Sequence, residues 1–260
     1  MRERYVGCAA SWLRRGVRHC RAEGIRSTLW KLPAGVRWLR EDLRTLGANP
    51  NDVQRTWKER EGEFSPEYYA IVGPDRTSET IVETVSERFE PNDRPSILEI
   101  GCSSGRHLEA LHSAGYEKLS GIDINPRAQA VMEKAYPELA SCVDFRVGAL
   151  ETVVETIDDD RFDFVFAVET FELVPPANEW VFEDIARITG DTLVTVASGP
   201  ERWSDRRPAE CHGEYPYFYR AYDSVFESAG LRTIDRRTVP ESALSMWVFE
   251  NPTREENIHI

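Results

Sequence analysis

Short apolar runs alternate with amphipathic helical segments from residue 96 onward. The runs predict strands near residues 97–101, 118–123, 142–147, 162–168 and 191–197. This alternation is typical of βαβ units, so we expect an α/β fold with a doubly wound, mainly parallel sheet. Two further strands, at 231–239 and 244–250, are joined by four residues. That connection is too short for a helical crossover, so these two strands must be antiparallel.

The region before these strands has helical periodicity. Residues 5–46 predict two amphipathic helices whose polar faces are filled with arginines. Ser65 precedes a proline, which predicts the start of a short helix. We therefore expect a basic helical extension at 1–64, an α/β domain at 65–252 and a flexible tail at 253–260.

Charge is unevenly spread along the chain. The formal net charge of the 260 residues is −13, yet residues 1–50 carry eleven basic against four acidic residues. A basic helix with tryptophans suits an anionic membrane surface, so residues 1–46 are candidates for peripheral membrane contact. The alternative is a helical cap packed on the α/β domain. The acidic remainder would repel a phosphate backbone, which argues against nucleic-acid binding.

Composition limits the remaining classes. No run approaches the roughly 18 apolar residues of a membrane span, and no secretory signal precedes the helices, so we expect a cytoplasmic protein. The cysteines and histidines form no metal-ligand spacing, which argues against a metal site. Only four of the 32 basic residues are lysines. An acidic, lysine-poor surface indicates a halophilic source, although GC-rich coding would also favour arginine.

The first predicted strand ends in a turn that contains two glycines and reads Ile97-Leu98-Glu99-Ile100-Gly101-Cys102-Ser103-Ser104-Gly105. Glycines let the backbone approach a ligand, and the following helix offers free N–H groups. Such turns also need glycine for geometry alone. The interpretation that matters for function is a cofactor pocket lined by Glu99, Gly101, Cys102 and Gly105.

The next strands deliver further candidates to the same edge of the sheet. Asp123 follows the second strand, where a doubly wound sheet places the acid that binds a ribose diol, and Ile124 offers an apolar face to adenine. Ala149 and Leu150 follow the third strand and suit the adenine. Glu169 and Glu172 follow the fourth. Asp123 is also suited to cap a helix that begins near Pro126.

Together these residues resemble the class I S-adenosylmethionine (SAM) dependent methyltransferases, over roughly residues 65–250. Glu99, Gly101 and Gly105 look like the first motif of that family, Asp123 like its ribose-binding acid, and residues 162–176 like its fourth-strand motif. The resemblance implies a seven-stranded sheet with the last strand reversed, SAM as cofactor, and a cofactor set that includes Glu169. It also implies that residues 65–252 form the methyltransferase domain.

More narrowly, four segments are similar to methyltransferases associated with surface-glycan and polysaccharide assembly, including those of haloarchaea: LEIGCSSGRHLEAL, GIDINP, FDFVFAVETFELVPP and NEWVFEDIARI. This resemblance implies methyl transfer to an oxygen of a glycan or of a lipid-linked glycan precursor. The chain departs from the pattern at Ser103, where a glycine is frequent, and at Leu173, where a histidine is usual. The second departure leaves the catalytic base open.

Residues 199–222 are expected to form the acceptor wall, because they combine aromatic rings with arginines that suit an acidic sugar. The acceptor candidates are Tyr69, Trp203, Arg206, Tyr219, Arg220 and Tyr222. His212 is the first candidate for a base and Glu172 the second. Three alternatives stay open: methylation of a soluble small metabolite, a non-catalytic SAM-binding partner subunit, and a nicotinamide oxidoreductase. The sequence leaves the oligomeric state undetermined.

Overall fold

The computed structural model describes residues 49–198, 209–212 and 215–252, with no description of the side chains at 209–216. The predicted helices at 5–46 and the tail at 253–260 lie outside these ranges. The helices are α1 (Pro50–Lys58), α2 (Pro66–Val72), α3 (Arg76–Ser86), α4 (Arg106–Ser113), α5 (Ala128–Ala135), α6 (Pro137–Ala140), α7 (Leu150–Val154), α8 (Val181–Ile188) and α9 (Tyr222–Ser228). Short 3₁₀ turns occur at Pro91–Asp93, Phe171–Leu173 and Pro176–Asn178.

Seven strands form one sheet and two form a hairpin. The strands are β1 (Ile97–Ile100), β2 (Leu119–Asp123), β3 (Asp144–Val147), β4 (Phe162–Val168), β5 (Thr189–Ser198), β6 (Ala209–His212), β7 (Tyr215–Phe218), β8 (Arg232–Thr238) and β9 (Leu244–Glu250). The sheet order is β3-β2-β1-β4-β5-β9-β8. The first five strands are parallel, whereas β9 is antiparallel to both β5 and β8.

The sheet is buried on both faces, as expected when crossover helices cover a parallel sheet. Side chains of β4 alternate between the two faces. Val165 and Ala167 join one core cluster, which includes α8 and α9, while Phe164 and Phe166 join the other, which includes α3 and α4. Because β1, β2 and β4 are parallel neighbours, their carboxyl ends lie at the same edge of the sheet.

Local signals explain where the first helices begin. Asn49 caps α1, Ser65 caps α2 by accepting a hydrogen bond from the Tyr68 N–H, and Asp75 caps α3. A proline at the first helical position reinforces α1 and α2. None of the helices in the described ranges has the length and apolarity that a membrane span requires.

The structure confirms the predicted fold class. All seven predicted strands of the sheet are present, and the last two are antiparallel. The reversed strand β9 lies between β5 and β8, so the last strand in sequence is not at the edge of the sheet. The hairpin of β6 and β7 was not predicted, because each strand has only four residues and β7 contains a proline, which argues against a strand.

Candidate functional site

A cavity opens at the carboxyl edge of the sheet. Its wall combines residues that follow β1, β2 and β4 with residues from the segment 53–69, which we call the cover. Of the predicted cofactor residues, the cavity wall includes Glu99, Gly101, Cys102, Asp123, Ile124, Leu150 and Glu169. Gly105 and Ala149 do not belong to this wall.

The turn after β1 depends on backbone conformations that glycine favours. Gly101 has φ +76°, and a Cβ at this position would lie 2.2 Å from the Thr170 hydroxyl oxygen. Gly105 has φ +80° and precedes α4, where a Cβ would lie 2.4 Å from the Met132 methyl group. Gly105 is therefore required for the turn and for packing against α5, which explains why it is absent from the cavity wall.

Asp123 lies at the end of β2, where both of its carboxylate oxygens accept backbone hydrogen bonds. Oδ2 accepts from the Ser103 N–H at 2.8 Å, and Oδ1 accepts from the Asn125 N–H at 2.7 Å. Burial raises the pKa of Asp123 to about 6. Each oxygen keeps a second lone pair, which suits two ribose hydroxyls. The helix that follows begins at Ala128 with Arg127 at its cap, so the expectation that Asp123 caps this helix is wrong.

Glu99 is buried beneath the cavity, with 1% of its surface exposed. Its pKa is raised well above the ordinary range by burial and further by the Asp123 charge, while Arg106 opposes the shift. Among the described residues, Glu99 Oε2 has no hydrogen-bond partner. A buried carboxylate oxygen without a donor is costly, and a cationic amino group in the cavity would satisfy it. The amino-acid end of SAM carries such a group.

The remaining predicted cofactor residues give the cavity apolar walls. Cys102 is buried, and burial raises the pKa of its thiol well above the ordinary range, so the thiol is protonated and acts as an apolar side chain. Ile124 and Leu150 also lie on the wall. A buried carboxyl at Glu99, an acid at Asp123 and apolar side chains at Ile124 and Leu150 are the kinds of group that the amino acid, ribose and adenine of SAM require.

Residues 53–69 cover the cavity, and sequence reasoning missed most of them. The wall includes Val53, Gln54, Trp57, Arg60, Phe64, Pro66 and Tyr69, of which only Tyr69 was predicted. The side-chain amide of Asn125 holds this cover by donating to the carbonyl oxygens of Trp57 and Arg60, at 3.4 and 3.3 Å. The aromatic and arginine content of this segment was the available signal.

Two arginines lie over aromatic rings on the wall. The Arg60 guanidinium carbon lies 5.9 Å from the Trp57 ring centroid and 5.7 Å from that of Phe64. The Arg106 guanidinium carbon lies 4.8 Å from the Tyr69 ring centroid, and Arg106 also forms an ion pair with Asp75.

His107 lies beside Arg106 on the wall, with its Nδ1 hydrogen-bonded to the Ser78 hydroxyl at 2.8 Å. Burial lowers the pKa of His107 to about 3, so the ring is neutral.

Glu169 is an exposed side chain on the cavity wall, one residue beyond β4. It has φ +50°, a conformation that non-glycine residues rarely adopt, and its N–H donates to the Val196 carbonyl at 2.7 Å. Tyr217 of β7 lies on the wall as well, although it was absent from the acceptor candidates. Burial and the Glu169 charge raise the pKa of Tyr217 to about 12.

The structure separates the other acceptor and base candidates from the cavity. Glu172 is fully buried and accepts a hydrogen bond from the Ser198 N–H at 3.1 Å. Tyr222 is buried against Trp247 and Phe226. Tyr219 is also buried and does not belong to the wall.

Arg220 is likewise buried in the protein. Its guanidinium donates to the carbonyl oxygens of Phe171, Val174 and Phe218 and pairs with Glu179. This side chain fastens the loop after β4 to β7 and does not reach the cavity. Trp203, Arg206 and the His212 side chain lie outside the described residues. No group of three potential metal ligands occurs within the ranges that the structure describes.

Comparisons with known proteins agree with this architecture. Residues 97–191 match a family model described as a methyltransferase domain. A putative SAM-dependent methyltransferase from Listeria monocytogenes has a TM-score of 0.54 at 13% identity, covering 68% of this chain and 99% of that one. Magnesium protoporphyrin IX methyltransferase from Synechocystis PCC 6803, solved with bound SAM, has a TM-score of 0.51 at 13% identity, covering 82% and 95%.

A third similar structure is the PH0226 protein from Pyrococcus horikoshii OT3. It has a TM-score of 0.54 at 15% identity, covering 75% of this chain and 95% of that one. At these identities the structural matches establish the fold. A search of curated proteins gave no match.

The sheet order and the matched domain define a protein of the class I methyltransferase fold. The chain is a SAM-dependent methyltransferase, and its cofactor is S-adenosylmethionine. The predictions of enzyme class and cofactor are confirmed, and the nicotinamide oxidoreductase alternative is set aside.

Proposed function

We propose that the enzyme transfers a methyl group to an oxygen of a glycan or glycan precursor. The observation that carries this proposal is the pairing of arginines with the aromatic rings of the cavity wall. Arg60 lies over Trp57 and Phe64, and Arg106 over Tyr69. Because the arginines of the protein already occupy positions over these rings, the rings do not form an aromatic cage for an ammonium acceptor.

Saccharides suit such a wall. Sugar rings pack against aromatic surfaces, and a guanidinium binds a carboxylate or phosphate on an acidic sugar. Arg60 supplies that group in the cover, where its Nε donates to the Glu63 carbonyl at 2.7 Å. Within the proposal, Arg60, Phe64 and Tyr69 contact the acceptor.

The cofactor residues follow from the cavity geometry. We assign the amino group of SAM to Glu99, the ribose hydroxyls to Asp123 and the adenine to the apolar wall at Ile124 and Leu150. When bound there, SAM supplies an electrophilic methyl group on a sulfonium. The protein contributes by holding the acceptor oxygen in line with that group and by excluding water through the cover formed by residues 53–69.

The decisive experiment is incubation of the purified enzyme with methyl-labelled SAM and a fractionated cell extract. Label in free saccharides or lipid-linked glycans supports the proposal. Label in protein, or in small molecules other than saccharides, contradicts it and in the latter case favours the soluble-metabolite alternative. Absence of label from every fraction, together with intact binding of S-adenosylhomocysteine, would favour the non-catalytic partner subunit.

A further inference from the structure

Tyr69, Glu169 and Tyr217 line the same cavity and come from three separate elements. Tyr69 comes from α2 in the cover, Glu169 from the end of β4, and Tyr217 from β7, and all three line the wall. We assign Asp123 and Glu99 to the cofactor; Asp123 contacts Ser103 and Asn125, and Arg106 lies near both Glu99 and Tyr69. The wall therefore carries three further polar side chains besides the two acids that we assign to the cofactor.

Glu169 differs from the other carboxylates of the described wall. Glu99 is 1% exposed and Asp123 accepts two backbone hydrogen bonds. Glu151 accepts from the Asn178 amide at 2.5 Å. Glu169 is the exposed carboxylate of this set, held in a left-handed backbone conformation by the hydrogen bond of its N–H to Val196. Strained backbone of this kind is often found where a side chain must be aimed at a ligand.

The two tyrosines are close enough to Glu169 to respond to its charge. Burial raises the pKa of Tyr69 and the Glu169 charge raises it further, against the effect of Arg106. Burial, Glu169 and Glu172 raise the pKa of Tyr217, against the effect of Arg60. Both phenols are therefore neutral hydrogen-bond donors at any working pH.

We propose that Tyr69, Glu169 and Tyr217 form the acceptor subsite, that the acceptor group is a sugar hydroxyl, and that Glu169 takes its proton. This inference rests on the proposed function and narrows it. An acceptor carboxylate would meet the like charge of Glu169, whereas a hydroxyl can donate to Glu169 and accept from a phenol. An acidic group elsewhere on the sugar can still pair with Arg60.

The proton and electron balance of the step is complete. The O–H bond of the acceptor breaks and its proton moves to a Glu169 carboxylate oxygen. The acceptor oxygen forms a bond to the methyl carbon while the carbon–sulfur bond breaks. The electron pair of that bond stays on sulfur, which becomes a neutral thioether. No oxidant, metal or further reactant enters this balance.

The test compares Glu169→Gln, which keeps the shape and removes the base, with Glu155→Gln, which changes an exposed carboxylate outside the cavity. We expect Glu169→Gln to lower kcat/KM for label transfer to the saccharide fraction about 10²- to 10⁴-fold, as for loss of a general base. The pH dependence that remains in Glu169→Gln should be the step near pH 6 that Asp123 contributes. If Glu169 serves the acceptor, the affinity for S-adenosylhomocysteine should stay within about twofold of wild type by calorimetry. A larger loss would assign Glu169 to the cofactor, as the resemblance implies, and would overturn the subsite.

A second measurement uses no acceptor. Isotope-labelled tyrosine NMR at neutral pH, assigned with Tyr69→Phe and Tyr217→Phe, records the ring chemical shifts of the two tyrosines. Glu169→Gln should move both ring signals and Glu155→Gln should move neither, because only the first removes a negative charge that acts on the rings. Ring signals that do not move in Glu169→Gln overturn the subsite. If kcat/KM of Glu169→Gln for label transfer stays within about threefold of wild type, Glu169 is not the base. A wild-type enzyme that labels no fraction overturns the proposed function and, with it, the proton step.

Discussion

Asp123 is the residue on which the cofactor assignment most depends. If its oxygens bind both ribose hydroxyls, Asp123→Asn should weaken S-adenosylhomocysteine binding about 10- to 100-fold, since hydrogen bonds to charged groups contribute roughly 1.5–3 kcal/mol each. Calorimetry measures this change. Asp144→Asn, which alters an exposed acid on the neighbouring strand β3, should leave the affinity within about twofold. Equal affinities for wild type and Asp123→Asn would refute the assignment.

The raised pKa of Asp123 predicts a pH dependence with a definite sign. Burial raises this pKa to about 6 from an ordinary value near 4, so the folded protein binds the proton more tightly than the unfolded chain. The stability contribution of this group is therefore full below about pH 4 and is lost as pH rises towards 6. S-adenosylhomocysteine affinity should change the opposite way, rising with pH as the carboxylate ionises. A pH series of calorimetric titrations checks this, and Asp123→Asn should flatten the step near pH 6.

Sequence reasoning at the residue scale identified the groups that follow strand ends. Glu99, Asp123 and Glu169 each occupy the last position of a strand or its vicinity, where the chain itself determines that they reach the carboxyl edge. Trp57 and Arg60 were missed because their positions depend on a tertiary contact, the hydrogen bonds from Asn125. Such contacts join residues far apart in sequence, and no local pattern encodes them.

At the scale of elements, Arg220 joins β7 to the loop after β4 through three carbonyl oxygens. Arg220→Ala would leave these buried oxygens without their donor, so we expect a loss of about 3–5 kcal/mol in the free energy of unfolding, measured by denaturant titration. Glu179→Gln is the matched comparison. The side chain of Glu179 is 55% exposed, and losing its ion pair should cost less than about 1 kcal/mol. Similar losses in the two variants would contradict the role of the carbonyl oxygens.

Arg220 also shows the limit of sequence interpretation for whole elements. Its aromatic and basic neighbourhood suits an acceptor wall, yet Arg220, Tyr219 and Tyr222 are buried in the protein. Composition reports which chemistry a segment carries, but burial depends on how the segment packs. The strands of the sheet were predictable because alternating apolar runs and short connections are local signals. The strands of the β6–β7 hairpin have four residues each and one contains Pro216, so their local signal is weak.

At the scale of the whole molecule, residues 1–46 are the part proposed to meet an anionic membrane. Deleting them should abolish cosedimentation with vesicles that contain anionic lipid, because the deletion removes most of the excess of basic over acidic residues in 1–50. Binding of S-adenosylhomocysteine should persist, since the described cavity begins at Val53. Retained cosedimentation would refute the membrane proposal. A large loss of thermal stability would instead support the helical cap.

The position of β9 has a consequence for the order in which the molecule can assemble during synthesis. Within the described sheet, β8 is hydrogen-bonded to β9 and to no other strand, and β9 is made last. The sheet can therefore be completed only after residues 244–250 have been made, because β9 is the strand that joins β8 to β5.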